Sequence, residues 1–339
     1  MMADKVSAQH VADLAGVSRS AVSRVFTPGA SVSKRTAEKV RKAAAKLGYR
    51  PNAVARSLIT GRTRMIGLVV AYLENYFYPE ALEKLSNALQ KRGYHVLVFM
   101  ASQMPDNIDQ VLDEILDYQV DGIIAASVAL SSDLATRCRA HGVPVVLFNR
   151  YQDIDGVASV TSDNVGGGKE VARFLVAGGH ERIGYIAGWE GASTQRDREA
   201  GFREGLGEAG LSLHSREVGD YQIEHAREAA RRMFSKSDHP DAAFVANDHM
   251  AFLVMDVLRF ELGLSVPDDV SIVGYDDVPP AAWLGYSLTT VRQRTNLMVE
   301  RTVSVLLAQL DEDDSEAGPH VIPGPLVIRN SARIPEQWP

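Results

Sequence analysis

The sequence predicts an all-α N-terminal head with a helix-turn-helix and a hinge helix, joined to a two-lobed α/β body. Short helical patterns separated by Gly and Pro fill residues 1–63, whereas apolar strands alternate with amphipathic helices over 64–339. Charge divides at the same place, since residues 1–64 hold thirteen Lys and Arg residues against three Asp and Glu residues. The remainder holds 23 basic and 40 acidic residues. Because phosphate binding depends on local cation density, only the head is suited to a polyanion.

The first two helices of residues 1–50 have the spacing of a helix-turn-helix. Ser7 can cap the first helix, and Gly16 can end it. Ser18 can cap a second helix that continues to residue 26. Its outward side chains are predicted to be Arg19, Ser20, Ser23 and Arg24. Such a helix fits a DNA major groove, so Ser18 and these four residues are predicted to bind DNA.

A third helix completes the predicted DNA-binding domain. Pro28 and Gly29 break the preceding helix, and Ser33 can cap a helix over 34–47. Its buried stripe is predicted to be Val40, Ala44 and Leu47. Three short helices around one small core then form a single unit.

Residues 51–63 are predicted to be a linker that contains the hinge helix. Asn52 can cap a helix over 53–60, and Gly61 can close it. Helices under about 12 residues are marginal in water, so this one should fold only against a partner. The spacing alone leaves two interpretations of Leu58 open. Leu58 either packs a linker helix onto the body or enters a DNA minor groove as a wedge between base pairs.

Residues 64–339 are predicted to form parallel sheets covered by helices. The strand patterns lie at 65–70, 95–99, 122–125, 143–148, 182–187, 242–246 and 271–275. The helical patterns lie at 79–92, 131–141, 164–176, 195–209, 224–234 and 249–261. The pattern breaks near residue 160, which predicts two lobes with a cleft between them, with chain crossovers near residues 290 and 320.

Polar residues follow several predicted strands, at the edge where parallel sheets bind ligands. Asn149-Arg150, Asn247-Asp248 and Asp276-Asp277 lie at such ends, and Thr194 and Arg198 open a helix. Paired donors and acceptors bind hydroxyl-rich ligands, which aromatic rings can cover. The predicted ligand site comprises Phe77, Tyr78, Asn149, Arg150, Thr194, Arg198, Tyr221, Asn247 and Asp276. For each Asn or Asp taken singly, simple capping of the next helix stays an alternative.

The sequence contains no recognisable catalytic or metal-binding pattern. The segment 205–210 matches G-x-G-x-x-G but ends a helix, and 166–169 lacks the rest of a phosphate-binding loop. The nine histidines include no H-x-x-x-H pair, and Cys138 is the only cysteine. We therefore expect neither enzyme activity nor a cofactor or metal. No apolar N-terminal segment and no run of about 20 apolar residues is present, which predicts a cytoplasmic protein without a membrane partner.

Several stretches together resemble the LacI/GalR family of bacterial transcription regulators, over essentially the whole chain. In the head and linker they are VADLAGVS (11–18), VSRV (22–25), VS (32–33), TAEKV (36–40) and LGYRPNAVARSL (47–58). In the body they are VAND (245–248), VGYDD (273–277) and LTTV (288–291).

The resemblance implies a homodimer that reads a near-palindromic double-stranded operator, with a body like a periplasmic sugar-binding protein. It implies that Arg19, Ser20 and Arg24 contact bases, and that the hinge helix begun by Asn52 enters the minor groove through Ala55 and Leu58. The family's effector contacts fall on the predicted ligand site without Arg150, which is adjacent to them. They are Phe77, Tyr78, Asn149, Thr194, Arg198, Tyr221, Asn247 and Asp276. The resemblance favours the wedge for Leu58.

Two positions depart from the family pattern. Ser287 stands where a proline is usual before 288–291, and Asn149 replaces the aspartate of some members. The first departure puts an inter-lobe strand in doubt, and the second puts a contact to a sugar hydroxyl in doubt. The chain also lacks the leucine heptads of tetrameric members, so a dimer is expected.

The expected function is that of a DNA-binding transcriptional regulator, a repressor, whose operator affinity a small ligand controls by linkage. The ligand is expected to be a sugar, a sugar acid or a sugar phosphate. Arg150 and Arg198 favour an acidic ligand, although either could instead pair with Asp276 or Asp277. A transport protein would have a signal peptide and would lack a basic head, and the sequence shows the opposite on both points. A nucleotide-dependent sugar enzyme would need a phosphate loop or a catalytic base, and the sequence shows neither. The expected location is the bacterial cytoplasm, in association with the nucleoid.

Overall fold

The protein forms two compact units, Met1–Arg64 and Met65–Pro339. The structure, a computed structural model, describes residues 6–27, 30–50, 61–101, 105–128, 130–311 and 317–338. The predicted hinge helix, with Asn52, Ala55 and Leu58, lies outside the described residues.

The head is a bundle of three helices, α1 (Ala8–Ala15), α2 (Arg19–Val25) and α3 (Lys34–Leu47). Each begins at the serine that the sequence predicts, because the hydroxyl groups of Ser7, Ser18 and Ser33 accept a hydrogen bond from a first-turn amide. The core of the bundle contains Val11, Ala12, Val22, Val40, Ala43 and Ala44. The helical head of the predicted fold class is thereby confirmed.

The first lobe of the body is built on a six-stranded parallel sheet. Along the chain its elements are β1 (Met65–Val70), α4 (Phe77–Lys91), β2 (His95–Met100), α5 (Pro105–Asp117), β3 (Gly122–Ala126), α6 (Ser132–Ala140), β4 (Val145–Phe148) and β5 (Ala158–Ser162). A late strand, β11 (Pro319–Ile322), pairs with β5. The strand order is β11-β5-β4-β3-β1-β2.

The second lobe contains a second six-stranded sheet. Its elements begin with α7 (Asn164–Ala177), β6 (Ile183–Ala187), α8 (Ser193–Glu208), β7 (Ser215–Val218), α9 (Ile223–Phe234) and β8 (Ala242–Val245). They continue with α10 (Asp248–Asp256), a π-helical turn (Val257–Glu261), β9 (Ser271–Asp276), a 3-10 turn (Pro279–Ala282), β10 (Thr289–Arg292) and β12 (Leu326–Val327). The order is β12-β10-β9-β8-β6-β7, and only β12 runs antiparallel to its neighbour.

The described chain passes between the two sheets three times, after β5, after β10 and after β11. The helix that follows β10, α11 (Thr295–Leu310), packs against α4 and against β3, β4 and β5 of the first lobe. Three connections of this kind leave the carboxyl ends of both sheets facing a shared cleft. The two-lobed α/β body of the predicted fold class is confirmed.

Several element boundaries differ from the sequence prediction for local physical reasons. The strand predicted over 143–148 begins at Val145, because Pro144 has no amide to donate. The strand β5 was not predicted, since its Ala-Ser-Val-Thr-Ser sequence is half polar, although all five residues are buried. The edge strands β7, β11 and β12 are partly exposed and lack a continuous apolar run.

Among the described residues, no helix combines the length and the apolar composition needed to cross a bilayer. The same residues contain no group of three His, Cys, Asp or Glu side chains arranged to hold a metal ion.

Candidate functional site

The exposed face of α2 carries most of the predicted DNA-binding side chains of the helix-turn-helix. Arg19, Ser20 and Arg24 are exposed, and neither arginine has an ion-pair partner among the described residues. The Ser18 hydroxyl caps α2 and lies 3.0 Å from the Ser20 hydroxyl. Two free guanidinium groups on one short helix suit contact with base edges or phosphates.

Ser23 differs from its predicted outward position, because it is half-buried. The helix ends at Val25, and the next turn folds back so that the Thr27 hydroxyl donates to the Ser23 carbonyl at 2.9 Å. The side chain of Ser23 is therefore less available to DNA than those of its neighbours Ser20 and Arg24.

The second candidate site is a polar cavity between the lobes, at the carboxyl ends of the strands. It is lined by Tyr72, Asn75, Tyr78, Asn149, Arg150, Thr194, Arg198, Tyr221, Asn247 and Asp276. Eight of the nine predicted ligand residues are in this lining. The free volume at the radius of a water molecule is about 10 Å³, which is room for about one water. The lobes are therefore closed on each other.

Phe77 is the predicted residue that does not line the cavity. Its ring is fully buried, stacks on Phe148 with the centroids 6.1 Å apart, and meets the edge of Tyr78 at 5.3 Å. Both residues lie in the first turn of α4, but only Tyr78 points towards the cleft. The Phe77 ring therefore packs against the Tyr78 ring from the hydrophobic core and does not line the cavity itself.

Tyr72 and Asn75 line the cavity but were not predicted from the sequence. Both follow β1, whose carboxyl end lies at the same edge as those of β3 and β4. The rule that identified Asn149 and Asp276, polar residues after a parallel strand, applies equally to the segment after β1. Applied there, it would have found both residues.

Three cavity residues have left-handed backbone conformations that non-glycine residues rarely adopt. The φ angles are 56° for Asn149, 58° for Tyr221 and 124° for Asp276. Each such conformation costs about 1–3 kcal/mol, and such residues cluster at functional sites. The positive φ angles turn the backbone at these residues, and all three side chains line the cavity.

Arg198 and Asp276 form a buried ion pair within the second lobe. The Arg198 Nη2 lies 3.4 Å from Asp276 Oδ1, while its Nε donates to Asn164 Oδ1 at 2.9 Å. Its guanidinium also lies 3.7 Å from the centre of the Tyr275 ring. Burial alone would lower the pKa of Arg198, but Asp276 and the surrounding tyrosines raise it. Arg198 therefore stays charged.

Asp276 is held by donors from both lobes. Gln293 Nε2 donates to Oδ1 at 2.7 Å, and Asn75 Nδ2 of the first lobe approaches Oδ2 at 3.4 Å. Burial raises the pKa of Asp276, whereas Arg198 and these hydrogen bonds oppose the increase. A carboxylate in the cavity lining can also accept hydrogen bonds from ligand hydroxyls.

Arg150 connects the two lobes directly. Its Nη1 donates to Thr194 Oγ1 at 2.7 Å, and Nη2 donates to Ser127 Oγ at 2.9 Å. Next to it, the Tyr151 amide donates to Ser193 Oγ at 2.9 Å. Ser193 and Thr194 begin α8 of the second lobe, so these two bonds hold the cleft closed.

Several buried polar atoms around the cavity have no hydrogen-bond partner in the described part of the chain. They are Asn149 Oδ1, Arg150 Nε, Asn247 Nδ2 and Gln293 Oε1. A buried unsatisfied polar atom costs about 1–3 kcal/mol, so a group of them indicates a ligand that completes their hydrogen bonds.

The capping alternative holds for part of the set. Asn247 Oδ1 accepts from the Met250 amide at 3.0 Å and so caps α10, while its Nδ2 remains unpartnered. Asp248 accepts from Thr290 Oγ1 and the Val278 amide, and lies outside the lining. The second acidic residue after β9, Asp277, pairs with two arginines, Arg292 and Arg329. Asp248 and Asp277 are structural.

Tyr221 supplies an aromatic face on the second-lobe side. Its ring lies against Gly188 so closely that a Cβ atom there would be 2.1 Å from the ring. Burial raises the pKa of Tyr221, so its hydroxyl stays neutral. Gly188 thus sets the position of this ring.

A helix-turn-helix head with exposed arginines and a two-lobed body closed on a polar cavity define a ligand-responsive DNA-binding regulator. Residues 8–52 match the family model "Bacterial regulatory proteins, lacI family", and residues 172–332 match "Periplasmic binding protein-like domain". The chain belongs to the lacI family of bacterial regulatory proteins. It is a DNA-binding transcriptional regulator under ligand control, as the sequence resemblance predicts.

The similarity extends over full-length relatives. The chain is 29% identical over 326 residues to the transcriptional repressor PurR of Photobacterium profundum, with 95% of this chain and 97% of PurR covered. The solved lac repressor dimer bound to operator and the anti-inducer ONPF has a TM-score of 0.88 at 28% identity, covering 97% of this chain and 99% of that one. The regulator CelR in complex with cellobiose has a TM-score of 0.73 at 30% identity, covering 96% and 100%. These relatives are transcription regulators.

Proposed function

We propose that this protein represses transcription by binding a near-palindromic operator as a homodimer, and that a sugar or sugar derivative bound in the cleft changes operator affinity. The observation that carries the proposal is the convergence of buried, partly unpartnered polar groups from both lobes on one cavity. The similarity to a lac repressor dimer with operator and to CelR with cellobiose supports the same assignment.

In this proposal the DNA-binding domain is residues 1–50, with the hinge helix in 51–63 and the effector-binding and dimerisation domain in 64–339. Arg19, Ser20 and Arg24 read base edges, and Ser18 and Ser23 contact the DNA beside them. Asn52, Ala55 and Leu58 of the hinge helix act in the minor groove. The protein acts in the bacterial cytoplasm, associated with the nucleoid, and performs no catalytic step.

The proposed control depends on opening and closing of the lobes. The cavity has room for about one water, so a ligand enters only after the lobes separate. Separation breaks the Arg150–Thr194 and Tyr151–Ser193 hydrogen bonds, and a bound ligand replaces them. Operator affinity then changes by the difference in ligand affinity between the two states of the lobes.

Selection of DNA from a random pool by the full-length protein tests the DNA-binding part. We expect enrichment of a sequence with two-fold symmetry. Arg24→Ala should weaken binding to that sequence by about 1–3 kcal/mol, because a bidentate arginine–guanine contact is worth that much. Binding to random DNA should change little.

Lys42→Ala is the matched control for this experiment. Lys42 is an exposed cation of α3, outside the base-reading helix. The Lys42→Ala substitution should weaken binding to selected DNA and to random DNA by a similar, small amount. An equal loss on both DNAs with Arg24→Ala would mean that Arg24 contacts phosphate only.

Gly188→Ala tests the effector part without altering a charged residue. The added methyl group forces the Tyr221 ring out of its place and into the small cavity. We expect this variant to bind the operator normally but to lose its response to the effector found by thermal-shift screening of sugars. A normal effector response in Gly188→Ala would place the effector site elsewhere.

A further inference from the structure

The two buried arginines of the cleft differ in whether a carboxylate balances their charge. The charge of Arg198 is balanced by Asp276 at 3.4 Å. All the hydrogen bonds of Arg150 go to neutral oxygen atoms, namely Thr194 Oγ1, Ser127 Oγ and the Asn149 carbonyl. No carboxylate pairs with Arg150 in the described part of the chain, although its side chain is buried and the residue is only 4% exposed.

The two other acidic residues that follow second-lobe strands, Asp248 and Asp277, are engaged with other groups. Asp248 accepts from Thr290 and Val278, and Asp277 pairs with Arg292 and Arg329. The residue adjacent to Arg150 is Asn149, whose uncharged Oδ1 has no hydrogen-bond partner within the described ranges. The lining of the cavity therefore holds two guanidinium groups against one carboxylate, Asp276.

The start of α8 adds further positive potential at the same point. This helix has 16 residues, and its N-cap residue, Ala192, provides no side-chain hydrogen bond to the first turn. Thr194, the direct partner of the Arg150 Nη1, lies in that first turn. Helix N-termini favour anions, so Arg150 faces a positive end instead of a counter-ion.

A buried cation without a counter-ion is costly, and buried charges in proteins are as a rule paired. The Arg150 Nε is buried and has no hydrogen-bond partner among the residues that the structure describes. A guanidinium has a planar set of donors that matches a carboxylate or a phosphate with two parallel hydrogen bonds.

We propose that the cleft ligand carries an anionic group, a carboxylate or a phosphate ester, that pairs with Arg150 at the start of α8. The inference rests on the proposed effector cleft and is independent of DNA binding. The hydroxyl-bearing part of the ligand lies against Asp276, Asn149 and Asn247. The anion replaces Thr194 as the hydrogen-bond partner of Arg150. It balances the positive charge of Arg150 as Asp276 balances that of Arg198.

The alternative role of Arg150 is that of a purely structural latch through Thr194. In either role Arg150→Gln in the full-length protein loses the hydrogen bonds to Thr194 and Ser127, so its melting temperature alone does not distinguish them. If Arg150 pairs with an anionic ligand, the variant loses most of the stabilisation that anions give the wild type. If Arg150 is a latch only, anions stabilise the wild type and the variant equally.

Inorganic phosphate is the probe, titrated at constant ionic strength while thermal unfolding is followed. We expect saturable stabilisation of the wild-type protein and at least a tenfold loss of phosphate affinity in Arg150→Gln. Asn149→Asp, which places a carboxylate beside Arg150, should cause a similar loss. Arg173→Gln, at an exposed arginine paired with Glu208, is the control and should respond to phosphate as the wild type does.

Glucose, gluconate and glucose 6-phosphate, compared in the same assay, separate a carboxylate from a phosphate ester as the preferred group. The anionic members should stabilise the wild type more than glucose does, and this preference should disappear in Arg150→Gln. The proposal is overturned if phosphate acts equally on wild type and Arg150→Gln, or if glucose binds as well as both anions. If the anion proposal fails but the same preparation still selects a symmetric operator, the DNA-binding part of the proposed function stands.

Discussion

Ser287 shows how a single residue sets the turn before β10. Its φ angle is 44°, and its amide donates to the Trp283 carbonyl at 2.7 Å. The resemblance implies that proline is usual here, yet proline can adopt neither this φ nor this donor role. The turn therefore has a conformation that a proline at this position could not adopt, while β10 still pairs with β9 over four residues.

Ser287→Pro should lower the free energy of unfolding by more than about 1 kcal/mol, because both the conformation and the hydrogen bond are lost. Ser287→Gly is the matched control. Glycine adopts positive φ without strain, so this variant should be as stable as the wild type or slightly more stable. Chemical denaturation of both variants measures the difference. Wild-type stability in Ser287→Pro would show that the turn adopts a negative φ in solution.

The packing of α7 against α8 is the feature that positions Arg198. The two helices touch through glycines. A Cβ atom on Gly168 would lie 2.2 Å from the Arg198 carbonyl oxygen, and one on Gly201 would lie 2.0 Å from the Val165 carbonyl oxygen. Backbone atoms cannot move aside as flexible side chains can. The glycines therefore allow α8 to approach α7 closely enough for Arg198 to reach Asn164.

Gly201→Ala should separate α7 from α8, lower the free energy of unfolding by at least about 1–3 kcal/mol, and weaken effector binding because Arg198 moves with the helix. Gly207→Ala, on the same helix, is the control. Beyond its chain neighbours and the backbone of its own helix, no described atom lies within 4 Å of the added Cβ, so this change should stabilise the protein by up to about 1 kcal/mol through helix propensity. Denaturation curves and effector titrations of both variants test the pair. Equal stability of the two would contradict the close packing.

At the scale of the whole molecule, the body presents apolar surface that suits a second copy of the chain. Phe260 is 81% exposed, Trp283 57% and Leu284 100%. An Arg259 hydrogen bond to the Gly285 carbonyl brings the π-helical turn and the loop that carry these residues together. On the first lobe, the edge strand β2 exposes Val98 and Met100. Contiguous exposed apolar patches and open edges mark protein interaction sites.

Leu284→Glu should weaken the proposed homodimer at least tenfold, because it places a charge in an apolar contact. Ile334→Glu alters an apolar side chain of similar size that is exposed elsewhere, and it serves as the control. Sedimentation at decreasing protein concentration measures the dissociation constant. Operator affinity should fall in parallel, since two heads bind two half-sites. An unchanged dimer in Leu284→Glu would exclude this patch from the interface.

The sequence by itself determined the features that depend on local chemistry. Serine caps and a left-handed Gly16 set the bounds of α1 and α2 within the head. The alternation of apolar strands with helices predicted the α/β body, and the position of Asn149 and Asp276 after parallel strands predicted their place at the cleft. These inferences need only spacing and residue type, because hydrogen bonds of caps and the geometry of parallel strands are local.

The tertiary structure decided what depends on neighbours distant in the chain. Phe77 and Tyr78 are adjacent, yet only packing against Phe148 determined which ring faces the cleft. The burial of the polar strand β5 depends on strands on either side of it. The pairing of Arg198 with Asp276, and the absence of such a partner for Arg150 among the described residues, depend on three-dimensional distances between charges. Coulomb energy and desolvation vary with distance and burial, and neither quantity can be read from sequence spacing.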